Sequence, residues 1–308
     1  MKIIIEIPTW LGDAVMATPA IENLINTIHN PEITLVGSII AIEALKNHPK
    51  VTKTYILEKN YYKLYKTIKS FGEFDMFISF RSSLRSRFIK LLISSKRKYQ
   101  FNKDKFISGH QVEKYNNFVN ESLQINTFPK GLFLNIKKKT KDSNIKLLGI
   151  NPGASYGSAK RWYPKKFADV AINLSSEYNI IIFGGIDEKD IALDIEKYLI
   201  KNGVKNYQNL AATTSITELS NNIAKLDLFI TGDSGPMHLA AALNIPTVAI
   251  FGPTNYKETS QWMNEKNTIV KKNLECQPCM KRTCPLKHHN CMKQIEVSDV
   301  LKAALSLN

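Results

Sequence analysis

The sequence predicts an α/β fold of two domains, each built on a parallel β-sheet with flanking helices. Three observations lead to this prediction. Short apolar runs alternate with helical patterns, a lysine-rich polar run interrupts the alternation once near the middle, and the same alternation then begins again. With 308 residues, of which 44% are hydrophobic, the chain can bury a large core and is longer than most single domains.

The first half opens with strand and helix patterns in turn. The apolar run "KIIIEI" (2–7) predicts a strand, and "AVMATPAIENLINTIH" (14–29) predicts a helix. The run "ITLVGS" (33–38) predicts a second strand, and "IIAIEALKNH" (39–48) predicts a second helix. Strand–helix–strand units of this kind are typical of parallel sheets.

The run "NIKKKTKDSN" (135–144) has no apolar periodicity after Ile136 and predicts the interdomain linker. We therefore assign residues 1–140 to an N-terminal, acceptor-binding Rossmann-like domain and residues 145–308 to a C-terminal, donor-binding one. The predicted strands of the second half are "IKLLGINPG" (145–153), "NIIIFGG" (179–185), "KNYQNLA" (205–211), "LDLFITGD" (226–233) and "TVAIFGPT" (247–254).

Charge and composition narrow the class of protein. Residues 1–144 carry 23 Lys and Arg against 12 Asp and Glu, so the first half should face an anionic partner, unless the basic residues only form a solvated surface. No nucleic-acid-binding module is recognisable, and neither a GxGxxG nor a GxxxxGK[ST] sequence occurs. The start "MKIIIEIPTWLGD" does not resemble a signal peptide, and no apolar run approaches the roughly 18 residues of a membrane span, so we expect a cytoplasmic protein.

Ligands of open α/β sheets bind beyond the carboxyl ends of the strands. Four polar, glycine-containing loops follow predicted strands, and we expect them to converge on a cleft between the domains. These loops are "PTWLGDAV" (8–15), "NPGASYGSAKRW" (151–162), "FGGIDE" (183–188) and "TGDSGPMH" (231–238).

The last of these loops indicates a phosphate site. Gly232 permits a tight turn, Asp233 and Ser234 can cap the following helix, and Gly235 lets a ligand approach the backbone. The N–H groups at that helix start would point at an anion, with His238 about one turn further on. The alternative is a plain helix cap with a core histidine.

Two other loops supply candidate donor-binding groups. Lys160 and Arg161 could neutralise a diphosphate leaving group, although they could also be a surface pair. Gly184 leaves room for a nucleoside, and Glu188 could accept hydrogen bonds from ribose hydroxyls, although a Gly-Gly turn followed by acids is also an ordinary helix start.

In the first loop, Gly12, a further candidate donor-binding residue, precedes Asp13 at the beginning of a helix. A carboxylate at this place could take a proton from an attacking hydroxyl, or it could simply be an acid in the first turn of a helix.

Four segments together carry a family resemblance: "PTWLGDAVMATPAIENL" (8–24), "NPGASYGSAKRW" (151–162), "ITGDSGPMHLAAALNIPTVAIFGPT" (230–254) and "CQPCMKRTCPLKHHNCMKQI" (276–295). They resemble the bacterial ADP-heptose:lipopolysaccharide heptosyltransferases of glycosyltransferase family 9. The resemblance implies a GT-B fold, two Rossmann-like domains facing a central cleft, and an inverting transfer of heptose from ADP-L-glycero-D-manno-heptose.

The resemblance also implies roles for particular residues. Asp13 matches the general base of the family, Lys160 matches the lysine beside the diphosphate, and Glu188 matches an acid near the ribose. The Asp-Ser-Gly-x-x-His donor motif of the family falls on Asp233, Ser234, Gly235 and His238. The chain departs from the family at Ala212, where the usual sequence is Asn-Leu-Ala-Gly.

The implied partners are a nucleotide-sugar donor and the lipopolysaccharide inner core, with no nucleic acid. The favoured acceptor is the heptosyl-Kdo inner core. The alternatives are transfer to Kdo-lipid A and a non-catalytic nucleotide-sugar-binding protein. Because no Asp-x-Asp sequence occurs, we expect no obligatory metal in catalysis.

The basic, apolar segment "RSSLRSRFIKLLISSKRK" (81–98) could lie against the anionic inner face of the cytoplasmic membrane or bind the acidic acceptor. The alternative is a core-packed helix with a solvated basic face. His110 in "GHQVEKY" is a further candidate acceptor contact.

All four cysteines lie within residues 276–291, namely Cys276, Cys279, Cys284 and Cys291. Such clustering in a cytoplasmic chain favours a metal over disulfides, and four thiolates could form a structural zinc site. Reduced thiols in a loop-rich segment are the alternative.

Overall fold

The computed structural model describes residues 1–136, 145–153 and 156–307. The chain divides into two compact units, Met1–Asn135 and Ile136–Asn308. Most of the predicted linker, residues 137–144, lies outside the described residues.

The N-terminal unit alternates strands and helices. Its strands are β1 (Lys2–Glu6), β2 (Glu32–Gly37), β3 (Val51–Ile56), β4 (Glu73–Ser79) and β5 (Ser94–Gln100). Its helices are α1 (Leu11–Met16), α2 (Thr18–Thr27), α3 (Ile39–Leu45), α4 (Tyr61–Lys69), α5 (Leu84–Leu92) and α6 (Gln111–Leu123).

The five strands form one parallel sheet in the order β3-β2-β1-β4-β5. The central strand β1 pairs with β2 on one side and β4 on the other, through Ile3↔Ile33 and Ile3↔Met76. Parallel sheets of this kind are covered on both faces, and the apolar residues of β1 are fully buried. The strand order reverses between β1 and β4, so the loops after these strands flank a crevice where ligands commonly bind.

The helix predicted over residues 14–29 is two helices, α1 and α2, which meet at Ala17. Pro19 stands in the first turn of α2, where its missing N–H costs nothing. The carbonyl of Val15, four residues earlier, accepts a hydrogen bond from Thr18 Oγ1 at 2.7 Å. The proline therefore ends one helix and starts the next.

The basic segment 81–98 is helical only over α5, and its second part is the edge strand β5. Phe88 and Leu92 pack against the core, whereas Leu84 and Leu91 are each 78% exposed. Lysine and arginine side chains are common on edge strands because they discourage pairing with another chain. The helix interpretation of residues 94–98 was therefore wrong.

The C-terminal unit repeats the scheme. Its strands are β6 (Lys146–Asn151), β7 (Tyr178–Ile182), β8 (Tyr207–Asn209), β9 (Leu228–Gly232), β10 (Thr247–Ile250) and β11 (Asn267–Val270). Its α-helices are α7 (Pro164–Leu174), α8 (Lys189–Lys201), α9 (Ile216–Ile223), α10 (Gly235–Ala242), α11 (Tyr256–Thr259), α12 (Asn290–Lys293) and α13 (Val297–Leu305).

The second sheet is parallel and has the order β11-β10-β9-β6-β7-β8. Its order reverses between β6 and β9, so the loops that begin at Pro152 and Asp233 flank the corresponding crevice. The predicted strands of the second half match β6 to β10, which confirms the α/β fold with two parallel sheets. Among the described residues, no helix is both long and apolar enough to cross a membrane.

Candidate substrate sites

The first candidate site lies at the crevice of the C-terminal sheet. Lys160 ends a short 3-10 turn in the loop after β6, and Asp233 follows β9 directly. Lys160 Nζ lies 2.6 Å from Asp233 Oδ2, and Thr254 Oγ1 donates a hydrogen bond of 2.6 Å to the same oxygen. The side chains of Lys160 and Asp233 are only 12% and 5% exposed. The folding of this unit therefore brings together a lysine and an acid that are 73 residues apart in the chain.

Ser234 follows Asp233 and is the N-cap residue of α10, but its side chain makes no capping hydrogen bond. Instead, Ser234 Oγ accepts a hydrogen bond of 3.1 Å from Nδ2 of Asn151, the last residue of β6, and lies 3.2 Å from Thr231 Oγ1. The prediction that the Asp233 and Ser234 side chains cap α10 was therefore wrong. Asp233 pairs instead with Lys160 in the loop after β6, and Ser234 accepts a hydrogen bond from Asn151 at the end of β6.

Gly235 and His238 lie in α10 as the sequence predicts, with His238 one turn from the helix start. The His238 side chain is 3% exposed, which agrees with a place inside the fold. Arg161 follows Lys160 and is half-buried. Its Nε is buried and has no hydrogen-bond partner within the part of the chain that the structure describes.

Glu188 lies beside the loop after β6. One of its carboxylate oxygens accepts a hydrogen bond from the Gly185 N–H. Glu188 therefore caps the start of the short 3-10 turn Ile186–Glu188. A Cβ added at Gly153 would lie 2.2 Å from Glu188 Cδ, so the glycine is required for this close approach. Gly184 is also close, since a Cβ there would lie 3.2 Å from Glu188 Cβ.

Ala212, where the chain departs from the family, has a φ of 63° and donates its N–H to the carbonyl of Gly184 at 2.9 Å. This left-handed backbone conformation favours glycine. The glycine of the family pattern therefore matches a backbone requirement of this turn.

The second candidate site is a cavity of about 430 Å³ at the crevice of the N-terminal sheet. Three loops at the carboxyl ends of strands and the two helices α1 and α6 form its walls. The lining residues are Pro8, Thr9, Asp13, Phe80, Arg81, Ser82, Ser83, Phe101, Lys103, Gln111 and Tyr115. This size is within the range of small-molecule sites.

Asp13 lies in the first turn of α1 and is half-buried in this cavity. Tyr115, on the opposite helix α6, has a pKa well above its usual value because it is buried and because the Asp13 charge disfavours a phenolate. Gly12, next to Asp13, is buried. The arrangement places a carboxylate, two cations and several hydroxyl groups around one cavity.

Sequence reasoning did not assign several groups to these sites. Arg81 was interpreted as part of a basic segment, and Lys103, Asn151 and Thr254 were not considered. Arg81 follows β4, a strand that the sequence analysis did not identify. The rule that ligands bind after the carboxyl ends of strands would have found Arg81 once β4 was known, and it already applied to Thr254, which stands at the end of the predicted strand 247–254.

His110 has a structural place in the fold. It is the N-cap of α6, its Nδ1 accepts the Val112 N–H at 3.2 Å, and Glu113 completes a capping box. Its role as an acceptor contact stays a prediction.

The four cysteines are free thiols, and Cys291 is the buried one. Burial raises the pKa of Cys291 to about 11, and the charges of Cys284, Cys276 and Cys279 act in the same direction. Among the described residues, which include all four cysteines, no group of three or more His, Cys, Asp or Glu is arranged to hold a metal ion. The thiols therefore give no geometric support to the structural zinc site, which stays a prediction.

The two parallel sheets and the loops at their crevices define a GT-B glycosyltransferase fold. The solved structure of Escherichia coli ADP-heptose lps heptosyltransferase II matches this chain with a TM-score of 0.84 at 21% identity. The match covers 100% of this chain and 98% of the E. coli chain. At this identity the match establishes the fold.

The family follows from sequence. Residues 62–290 match the model of glycosyltransferase family 9 (heptosyltransferase). The lipooligosaccharide heptosyltransferase 2 of Campylobacter jejuni is 42% identical over 317 residues, covering 100% of this chain and 98% of that protein. A lipopolysaccharide heptosyltransferase 1 of Campylobacter coli is 26% identical, and the match covers 85% of this chain and 86% of that protein. The chain therefore belongs to glycosyltransferase family 9, and the family resemblance seen in its motifs is confirmed.

Proposed function

We propose that this glycosyltransferase moves heptose from ADP-heptose to the heptosyl-Kdo inner core of lipopolysaccharide or lipooligosaccharide, as a heptosyltransferase II. The observation that carries the proposal is the full-length similarity, at 42% identity, to a heptosyltransferase 2. The weaker similarity to a heptosyltransferase 1 makes transfer to Kdo-lipid A the less favoured alternative.

In the proposed reaction, the C-terminal unit binds the donor and Lys160 stabilises charge that develops on the diphosphate. Asp233 is bonded to both Lys160 and Thr254, so it holds the ammonium group near the start of α10. The helix start adds N–H groups that also favour an anion. Gly184 and Glu188 would border the nucleoside.

In the same reaction, Asp13 takes the proton from the acceptor hydroxyl as that oxygen attacks the anomeric carbon. The new glycosidic bond forms as the bond to ADP breaks, and ADP leaves with the electron pair. The configuration of the anomeric carbon inverts, and no sugar–enzyme bond forms. Gly12, next to Asp13, would take part in binding the ADP-heptose donor.

The test is ADP release from ADP-heptose by the purified chain, with heptosyl-Kdo-lipid A or Kdo-lipid A as acceptor. We expect release that depends on the heptosyl acceptor, and a kcat about 10²- to 10⁴-fold lower in Asp13→Asn. Asp190→Asn is a matched control because Asp190 is also an acid in the first turn of a helix, but it is exposed and lies in the other unit.

Each other outcome has a definite meaning. Transfer only to Kdo-lipid A would replace the proposal by the alternative. Donor binding without transfer to either acceptor would indicate a nucleotide-sugar-binding protein. An equal loss in Asp13→Asn and Asp190→Asn would remove the assignment of Asp13 as the base.

We also propose that the chain works in the cytoplasm, at the anionic inner face of the membrane that holds its lipid acceptor. The adjacent helices α4 and α5 form a basic and aromatic surface in the N-terminal unit, which we call the α4–α5 surface. Its exposed members are Tyr61, Tyr62, Lys63, Tyr65, Lys66, Lys69, Leu84, Arg87 and Leu91. Tyrosine rings and lysines beside exposed leucines suit the interface of an anionic bilayer.

Vesicle flotation tests this surface. We expect binding to vesicles that contain anionic lipid, weak binding to neutral ones, and a loss of binding in the Tyr62→Ser, Leu91→Ser double variant. Leu305→Ser removes a leucine that is 60% exposed in the other unit and should not change binding. Equal binding of the double variant and Leu305→Ser would exclude the α4–α5 surface as the contact.

A further inference from the structure

The cavity beside Asp13 is rich in positive charge. Arg81 and Lys103 both line it, and Asp13 is the acid among its lining residues. Lys103 is exposed, whereas the Arg81 side chain is 21% exposed and is paired with Glu6. A cavity with two cations is suited to a ligand that carries a negatively charged group.

A buried carboxylate, Glu6, holds Arg81. Glu6 is the last residue of β1 and is completely buried, and its Oε1 lies 3.2 Å from Arg81 Nη1. Ser79 donates a hydrogen bond of 2.6 Å to Glu6 Oε2, and Ser86 donates one of 2.9 Å to Oε1. Both carboxylate oxygens therefore have partners, and the position of the acid is defined from β4 and α5.

A carboxylate inside a parallel sheet is unfavourable unless its charge is compensated. Burial raises the pKa of Glu6, while the Ser79 hydrogen bond, the Arg81 charge and the Ser86 hydrogen bond lower it. An apolar residue would suit the interior of the sheet better. The acid does, however, hold Nη1 of the Arg81 guanidinium, whose five N–H donors lie in a rigid plane.

The backbone of Arg81 is fixed as well. Its N–H donates to Ser79 Oγ at 3.2 Å, and its carbonyl accepts from Gln100 Nε2 at 3.1 Å. Side chain and main chain are thus both tied to the strands that end at the crevice. Such pre-organisation reduces the entropy lost when a charged ligand binds.

We infer that Glu6 is a positioning residue which holds Arg81 at the wall of this cavity, so that Arg81 and Lys103 bind an oxyanion of the acceptor glycolipid. The inference rests on the proposed function and specifies how the acceptor is recognised. The oxyanion is a sugar carboxylate or a sugar phosphate, since both suit a guanidinium and an ammonium.

A binding experiment that needs no turnover tests the inference first. The probe is the deacylated heptosyl-Kdo acceptor oligosaccharide, titrated calorimetrically into the full chain in phosphorylated, dephosphorylated and carboxyl-reduced forms. We expect Arg81→Gln to weaken binding of the intact probe about tenfold or more. Arg81→Gln should not change the binding of the one probe form that lacks the recognised oxyanion. That form therefore shows whether the oxyanion is the carboxylate or the phosphate.

Glu6→Gln distinguishes positioning from a structural role. We expect Glu6→Gln to weaken probe binding in wild-type protein and to have little further effect in Arg81→Gln, because both changes remove the same interaction. If Glu6→Gln does not fold, Ser86→Ala takes its place in the same double-mutant comparison with Arg81→Gln, because it removes one hydrogen bond to the Glu6 carboxylate. In turnover, these variants should raise the acceptor KM and leave the donor KM unchanged.

Arg97→Gln is the matched control, because Arg97 lies on β5 and is exposed. Additive losses, an equal loss for all three probe forms, or no loss in Arg81→Gln would overturn the inference. Failure of the proposed function is distinguishable, because it would show as tight probe binding without transfer in the wild-type protein.

Discussion

Lys160 and Asp233 form an ion pair, with Nζ 2.6 Å from Oδ2, that joins the loops after the two central strands of the C-terminal sheet. Thr254 adds a third loop by donating to the same carboxylate oxygen. The lysine is therefore ordered before any donor binds. Catalytic electrostatics depend on such charges being in place before the reaction.

Replacing Lys160 by Met should lower kcat by about 10²- to 10³-fold, because the charge on the leaving diphosphate loses a pre-organised cation. Steady-state kinetics with both substrates measure this effect. Lys165→Met is the control, since Lys165 pairs with Asp169 on the exposed face of α7. A Lys160→Met enzyme with wild-type kcat would exclude a role for the lysine in the chemical step.

Replacing Asn151 by Ala should destabilise the C-terminal unit by about 1–3 kcal/mol, because the buried hydroxyl of Thr231 and the half-buried hydroxyl of Ser234 lose their amide partner. Urea unfolding gives the change in the free energy of unfolding. Asn173→Ala removes an exposed amide that donates to the helix carbonyl of Asp169, and it should change stability by less than about 0.5 kcal/mol. Equal effects of the two changes would argue against the Asn151 network.

Replacing Gly153 by Ala should displace the Glu188 side chain, because the added Cβ would lie 2.2 Å from its Cδ. We expect a loss of stability and a higher donor KM. The loss should be smaller in a Glu188→Ala background, which removes the clash, so a double-mutant cycle measures the coupling. Gly131→Ala is the control, since among residues 1–136, 145–153 and 156–307 no atom beyond its two chain neighbours lies within 4 Å of its added Cβ. Additive effects of the two substitutions would show that the steric contact is not the cause.

Cys291 should react with iodoacetamide more slowly than the other three thiols. Its pKa is raised to about 11 by burial, so at pH 8 only about one thiol in a thousand is ionised. Its reactivity should rise about tenfold for each pH unit between 8 and 10, provided that the protein stays folded. Peptide mass spectrometry of partly alkylated protein reports the order in which the four thiols are labelled. Labelling of Cys291 ahead of Cys276 at pH 8 would contradict this prediction.

The apolar runs of β1, β2, β6, β7, β9 and β10 predicted these strands because each is buried in a parallel sheet and is therefore continuously apolar. The strands that the sequence analysis missed include β3, β5 and β11, which lie at sheet edges. Strand β3 reads "VTKTYI" and β5 reads "SSKRKYQ", so neither has an apolar signal. Exposure at a sheet edge removes the pattern from which a strand is recognised.

The sequence by itself determined the α/β fold and the family, because ordered motifs and buried strands leave a local pattern. It also singled out Asp13, Lys160 and Asp233, since each follows a recognisable strand. Only the tertiary structure decided that Lys160 pairs with Asp233 and that Glu6 holds Arg81. These pairs are more than 70 residues apart in the chain, and sheet order, which depends on packing among all the strands, brings them into contact.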